Sequence, residues 1–270
     1  MNITFIGGGN MASALINGLL QQGYLAKQLH VVEINAENRE KIKDTFGVSA
    51  LADLESGVID TDVIVLSVKP QHLHDLTQQL SPFLKHQLII SIVAGICVGD
   101  IERWLEGYFR IVRAMPNTPS SIQCGMTGLY AAANVNEEDR KIAESILTAV
   151  GLTLWVENED MLHAVTAISG SGPAYVFYFI ESLQKAAIDL GLSPEKARQL
   201  SLQTFVGASK LASLSDKDTA VLRAQVTSKG GTTEQAIRTM EQENVQEKIL
   251  MAVHSAAQRS CQISDEYSNL

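Results

Sequence analysis

The sequence predicts an α/β fold over residues 1–160, followed by an all-α domain over residues 161–270. Three observations carry that division. Short apolar runs alternate with helical patterns through the first part, which is the rhythm of βα units feeding a mostly parallel sheet. The first run ends in Gly7-Gly8-Gly9-Asn10-Met11-Ala12 and leads straight into an amphipathic helix. Strand signals stop near residue 160, and the remainder is rich in Ala, Leu and Val at helical spacing.

Residues 3–6 form the first strand. Gly7 permits the tight turn after it, Gly9 lets the backbone approach a pyrophosphate, and Ala12 is the small residue where helix packs on strand. Met11, Leu15, Leu19 and Leu20 share one helical face, with Gly23 just past the end. Between a strand and such a helix, G-x-G-x-x-A is a Rossmann-type dinucleotide fingerprint. It makes Ile6, Gly7, Gly8, Gly9, Asn10 and Met11 the candidate cofactor loop. Residues 29–34 are the second strand, and Glu33 falls about twenty residues after Ala12, where an acid bonds the ribose 2′-hydroxyl of NADH. Asn35 and Arg39 follow at once. Arg39 can instead meet the 2′-phosphate of NADPH, or stand with Lys41 on a solvated helix face.

Residues 62–68 read as a buried strand leading to Val68-Lys69-Pro70. Residues 88–93 lead to Val93-Ala94-Gly95, and residues 110–115 to Met115-Pro116-Asn117-Thr118-Pro119. Ligands of open α/β sheets collect at the carboxyl ends of strands. Val68, Lys69, Pro70, Val93, Ala94, Gly95 and Asn117 are therefore candidate cofactor contacts, although each loop reads equally well as turn chemistry. Residues 126–131 and 152–156 add strands, with a helix over 136–150 between them.

Ser169-Gly170-Ser171-Gly172-Pro173 is a small-residue break, and Pro173 suits a first helical turn. A long apolar helix runs to about residue 190, Gly191 ends it, and Ser193-Pro194-Glu195 starts the next. Ala186, Ala187, Ala197, Ala208 and Ala212 allow close helix packing, and the surplus of apolar helix predicts burial against a second copy. Within this part, Gly230-Gly231 permits a turn with φ > 0 and close backbone approach. Thr232 with Gln235 matches a capping box, and either Thr232 or Thr233 suits an N-cap. The helix start offers free N–H groups to a small carboxylate. The hydroxyls of Ser228, Thr232 and Thr233 can donate or accept beside it. The same stretch also reads as a capped helix start with no ligand.

The chain has 270 residues, 46% hydrophobic and 19% charged, with a net charge of −9. That size accommodates two domains. The charge argues against non-specific nucleic-acid binding and against an anionic membrane surface. No run of apolar residues is long enough to span a bilayer, and the start carries no secretory signal, so a cytoplasmic protein is expected. Cys97, Cys124 and Cys261 lack metal-ligand spacing and are expected to stay reduced; no metal is required. His163 reads as a satisfied structural histidine, and Tyr175 and Tyr178 as helix core.

Two segments together, Ser169-Gly-Ser-Gly-Pro-Ala-Tyr175 and Val226-Thr-Ser-Lys-Gly-Gly-Thr-Thr233, carry a family pattern. So do Phe5-Ile-Gly-Gly-Gly-Asn-Met11, Val68-Lys-Pro70, Val93-Ala-Gly95 and Arg113-Ala-Met-Pro-Asn-Thr-Pro119, in the same order. The chain resembles the pyrroline-5-carboxylate reductases, which catalyse the last step of proline biosynthesis. The resemblance spans nearly the whole chain. It implies a Rossmann-type N-terminal domain and a helical C-terminal domain that binds substrate and dimerises, sometimes building larger rings. It implies NADPH or NADH as cofactor. It also implies a substrate loop containing Ser228, Gly230, Gly231, Thr232 and Thr233, with Thr233 meeting the substrate nitrogen. The chain departs from many members at Lys229, where they carry proline, and at Ser215-Asp216-Lys217-Asp218, where they carry a Gly-Glu pair. NADPH-preferring members carry small polar residues where this chain has Glu33. A β-hydroxyacid-type dehydrogenase fits less well, because Lys185 lacks the Lys-x-x-x-Asn spacing of that class. A non-catalytic dinucleotide sensor would have no use for the 228–233 loop.

Overall fold

The strands β1 (Ile3–Ile6), β2 (Leu29–Val32), β3 (Ser49–Leu51), β4 (Val63–Leu66), β5 (Leu88–Ser91), β6 (Ile111–Met115), β7 (Gly125–Ala131) and β8 (Gly151–Trp155) form one sheet. Their order is β3-β2-β1-β4-β5-β6-β7-β8, and every pair is parallel except β6 with β7. In this computed structural model residues 1–268 are described. Strands β1, β4 and β5 are buried along their whole length, as the near-continuous apolar runs require of a parallel sheet covered on both faces. The polar exception in β1 is Thr4. Its hydroxyl donates to Gly57 O at 2.7 Å and lies 2.6 Å from Thr61 Oγ1, so it is buried but satisfied.

Strand order reverses beside β1: β2 and β3 lie on one side of it, β4 and the rest on the other. This is the switch point at which open α/β sheets leave a crevice. The helices of this part are α1 (Asn10–Gln21), α2 (Ala36–Phe46), α3 (Leu54–Val58), α4 (Leu73–Leu80), α5 (Val98–Trp104), α6 (Glu137–Leu147) and α7 (Met161–Val165). Asn35, Asp53 and Asn136 cap α2, α3 and α6, each accepting from the backbone N–H three residues on. The second strand stops at Val32, earlier than expected, and Ile34 is 90% exposed. β3 was not expected at all. It is a three-residue sheet edge, too short to carry a period.

By contact the chain divides into two compact units, residues 1–171 with the chain from Ala256 onward, and Gly172–Ser255. The first unit holds a buried ion pair that joins distant segments. Arg113 Nη1 on β6 lies 2.7 Å from Glu159 Oε1, which also accepts from Val98 N at the start of α5. His163 Nδ1 lies 2.9 Å from Ser260 Oγ, the satisfied structural role expected of it. The second unit contains α8 (Gly172–Asp189), α9 (Pro194–Ser213), α10 (Thr219–Gln225) and α11 (Thr232–Gln242), and the first part of α12 (Val245–Ser268). Its helices leave Phe177, Tyr178, Val206, Leu211 and Leu214 exposed in the single chain. Tyr178 is therefore not helix core in the protomer. No helix among the described residues is long and apolar enough to cross a membrane.

Helix α1 sits tightly on the segment before β8, because a Cβ on Gly18 would run into the carbonyl oxygen of Ala149. Alanine would add about 1 kcal/mol of helix propensity, and forcing it against rigid backbone costs about 3 kcal/mol. Gly18→Ala is expected to lower unfolding free energy by roughly 2 kcal/mol in urea denaturation. An unchanged midpoint would contradict this seating of α1.

Candidate active site

The glycine loop follows β1 at the switch point. Gly7 has φ +98°, and its N–H donates to Val32 O at 2.8 Å. A Cβ there would lie 2.8 Å from Ser67 O. Ser67 Oγ donates to Ile6 O at 2.9 Å and Gly7 O at 2.8 Å, clamping the turn to the end of β4. Gly8 N–H donates to Glu33 Oε2 at 3.0 Å, and Gly8 O accepts from Asn38 Nδ2 at 3.1 Å. Gly9 differs from both. Its φ of −71° suits any residue, and a Cβ on it would meet nothing within 4 Å. Neither the turn nor packing needs glycine there. What Gly9 leaves is open space in front of the N-terminus of α1, which has no side-chain cap. The first N–H groups of that helix point into this space, a site for an anion such as a pyrophosphate. The cradle fits a dinucleotide.

A cleft of about 850 Å³ opens from this loop, lined among others by Ile6, Gly7, Gly9, Glu33, Val68 and Lys69. Gly8 lines it too, and also a hollow of about 480 Å³ on the side of α1 and α2, which takes in Asn10 and Met11. The other candidates lie outside the cleft lining. Asn35 caps α2 through its side-chain oxygen, which accepts from Asn38 N at 2.9 Å. Arg39 Nη1 donates to Glu33 O at 2.8 Å and Ile34 O at 2.9 Å. Pro70 starts the short turn Pro70–His72. Val93 is buried, Ala94 is exposed, and Gly95 is buried under Ile263. Asn117 uses its amide inside the fold, donating to Ser169 O and accepting from Met126 N, both at 2.9 Å.

Burial acts to raise the pKa of the Glu33 carboxyl. The N–H groups of Asn35 and Gly8 and the side chain of Asn38 outweigh it, and the group titrates below the usual glutamate range. Its folded pKa being the lower one, its hold on the loop is complete above that range and is lost as pH falls below it. Ser67 and the role of Asn38, which follows Glu33 with Asn35 and Arg39, escaped the reading of the sequence. Ser67, a hydroxyl directly after a buried strand at the switch point, was the more discoverable of the two.

In the second unit, Gly230 has φ +74° and turns the chain, and Gly231 N donates to Ser228 O at 3.0 Å. Gly231 is packed: a Cβ there would lie 2.8 Å from Ser228 Oγ. Helix α11 then begins at Thr232. The capping box expected of Thr232 and Gln235 is absent. The N-cap is Gly231, which makes no side-chain bond, and Gln235 N bonds Gly231 O. Glu234 Oε2 instead reaches back and accepts from Gly230 N at 2.8 Å. Among the described residues, the hydroxyls of Ser228, Thr232 and Thr233 have no protein partner. Glu234, the one acid on this turn, lies 4.0 Å from Arg238. The arrangement offers free N–H groups and free hydroxyls to a small anion with a polar atom beside its charge.

Comparison with known proteins identifies the family. Residues 159–263 match the family described as pyrroline-5-carboxylate reductase dimerisation, and residues 2–95 match NADP oxidoreductase, coenzyme F420-dependent. A pyrroline-5-carboxylate reductase of Pseudomonas aeruginosa is 43% identical, with 98% of this chain and 97% of that protein covered. The chain belongs to the pyrroline-5-carboxylate reductase family. A family member from Coxiella burnetii has a solved structure that is 43% identical with a TM-score of 0.93, covering 97% of this chain and 98% of that one. The structure of a Plasmodium falciparum pyrroline carboxylate reductase, with NADP bound, is 30% identical with a TM-score of 0.87 and 98% of both chains covered. The Rossmann-like sheet domain and the helical dimerisation domain of this family are thus those of this chain.

Gly9 separates ligand from fold in this reductase. Gly9→Ala is expected to leave thermal stability without nucleotide unchanged and to weaken dinucleotide binding at least about tenfold, a loss of ~1.4 kcal/mol. Titration of intrinsic fluorescence with nucleotide checks it. Unaltered affinity would mean that the space at Gly9 takes no ligand.

Proposed function

We propose that the protein reduces L-Δ1-pyrroline-5-carboxylate to L-proline with NADH or NADPH, in the cytoplasm. The observation that carries this is the presence, in one chain, of an open glycine cradle at a sheet switch point and a helix start with free N–H groups and free hydroxyls. The first fits the donor and the second fits a small imino acid. The 43% identity to a named reductase over nearly the full chain supports the same reading.

When bound, a reduced nicotinamide would supply hydride to the imine carbon; with the imine nitrogen already protonated from solvent, iminium plus hydride gives the secondary amine of proline. Ile6, Gly7, Gly8, Gly9 and the first turn of α1 hold the pyrophosphate, and Lys69 at the end of β4 adds a positive charge to the cleft. The N–H groups of Thr232 and Thr233 hold the substrate carboxylate. Thr233 Oγ1 donates to the imine nitrogen, or accepts from the iminium, so the nitrogen stays polarised as the carbon is attacked. A threonine hydroxyl is too weak an acid to drive the step by proton transfer, so the acceleration lies in orientation and electrostatics. Residues 1–160 thus act as the dinucleotide domain and 161–270 as the substrate and dimerisation domain. The exposed apolar faces of α8 and α9 are covered by a second copy, and larger rings of such dimers follow the same interface logic.

Steady-state oxidation of the reduced cofactor with pyrroline-5-carboxylate as acceptor tests the reading. Turnover is expected with the native protein. Thr233→Ala is expected to lose roughly 30- to 1000-fold in kcat/KM, about 2–4 kcal/mol of transition-state stabilisation. Full activity in that variant would remove Thr233 from the mechanism, and no turnover in a native protein that binds nucleotide would overturn the reaction.

A further inference from the structure

We propose that the dinucleotide cleft selects NADH over NADPH and that Glu33 is the residue that determines the choice. The inference rests on the reading of the cleft as the dinucleotide site, and not on the identity of the imine. Glu33 lies directly after β2, beside the glycine loop, where the adenine ribose of a nucleotide held by that loop falls. Oε2 accepts from Gly8 N at 3.0 Å and Asn38 Nδ2 at 2.9 Å, and Oε1 accepts from Asn35 N at 2.9 Å. A carboxylate accepts and cannot donate, so it can take a hydrogen bond from a ribose hydroxyl but offers none to a phosphate oxygen. A 2′-phosphate, mostly doubly charged near neutral pH, offers no such donor and meets a carboxylate that its partners hold in place.

The surroundings act in the same direction. Asp53 and Glu55, just after β3, line this side of the cleft together with Glu33. The basic residues of the lining, Lys69 and His72, follow β4, across β1 in the strand order. Arg39, the cation best placed in sequence to meet a 2′-phosphate, is outside the lining and has Nη1 engaged by two carbonyls of the turn. Lys41 lines the smaller hollow on the side of α2. On the side of β2 and β3 the cleft lining therefore holds three carboxylates and no cation among the described residues, with Arg39 behind it on the turn carbonyls.

Dissociation constants for NADH and NADPH, measured by fluorescence without substrate, test the proposal independently of turnover. The native protein is expected to bind NADH at least about tenfold more tightly. Raising salt from about 50 to about 500 mM is expected to narrow that ratio, because screening weakens a repulsion. If cations were holding the 2′-phosphate, salt would move the ratio the other way. Glu33→Ser is expected to shrink the ratio at least about fivefold, whereas mere loosening of the loop would weaken both nucleotides alike and leave the ratio unchanged. Glu55→Gln, which removes a carboxylate that holds no loop bond, is expected to improve NADPH binding more than NADH binding and so to narrow the ratio. Equal affinities, tighter NADPH, a ratio that widens with salt, or an unchanged ratio in Glu33→Ser would each overturn the proposal. Failure to bind either nucleotide would overturn the dinucleotide reading with it. Tight NADH binding without imine reduction would overturn the reductase reading and leave this one standing.

Discussion

The bond from Gly8 N–H to the Glu33 carboxylate ties the glycine loop to the end of β2, and the geometry of the first unit's site depends on it. The loop has no side chains of its own with which to hold a shape. Ser67 fixes one end through Ile6 O and Gly7 O, and Glu33 with Asn38 fixes the middle through Gly8. With those points set, Gly9 is left facing empty space and the N-terminus of α1 faces the cleft. A preorganised cradle costs a ligand little ordering on binding, which is how a short loop holds a large dinucleotide. The carboxylate that builds the cradle also lines the cleft, so the proposal gives one side chain two tasks, shaping the loop and screening its ligand.

The second unit solves a different problem by similar means. Glycine again supplies the turn, at Gly230, and a glutamate again ties down a glycine N–H, here Glu234 to Gly230. The outcome is a helix start whose hydroxyls stay unengaged. Chemistry on a small imino acid asks for this: fixed N–H groups for the carboxylate, and a hydroxyl at the nitrogen that can change from donor to acceptor as charge moves. The dimerisation match over residues 159–263 takes in α8 and α9, the helices that carry exposed apolar residues in the single chain.

Much of this was legible in the sequence because it depends on local pattern. Buried parallel strands are continuous apolar runs, so β1, β4, β5 and β6 stood out, and Gly7 and Gly230 were readable as positions needing positive φ. What escaped depends on partners distant in the chain. β3 exists because His30 and Val32 offer it an edge, not because three residues prefer a strand. Ser67 reaches back to Ile6, and Arg113 forward to Glu159, and nothing in the intervening residues announces either pairing. The expected capping box failed for a related reason. Threonine and glutamine had the right spacing, yet Gly231 is the N-cap and Glu234 is the side chain that holds a loop N–H.

The most direct test of the account follows the hydrogen itself. The protein is supplied with pyrroline-5-carboxylate and reduced nicotinamide cofactor fully deuterated at C4, and the proline formed is analysed by mass spectrometry. Hydride transfer into the imine from the cradle-bound cofactor gives proline with a single deuterium, on the ring carbon bonded to nitrogen and away from the carboxylate. Proline free of deuterium, or label lost to solvent, would contradict direct transfer from the cofactor to the imine.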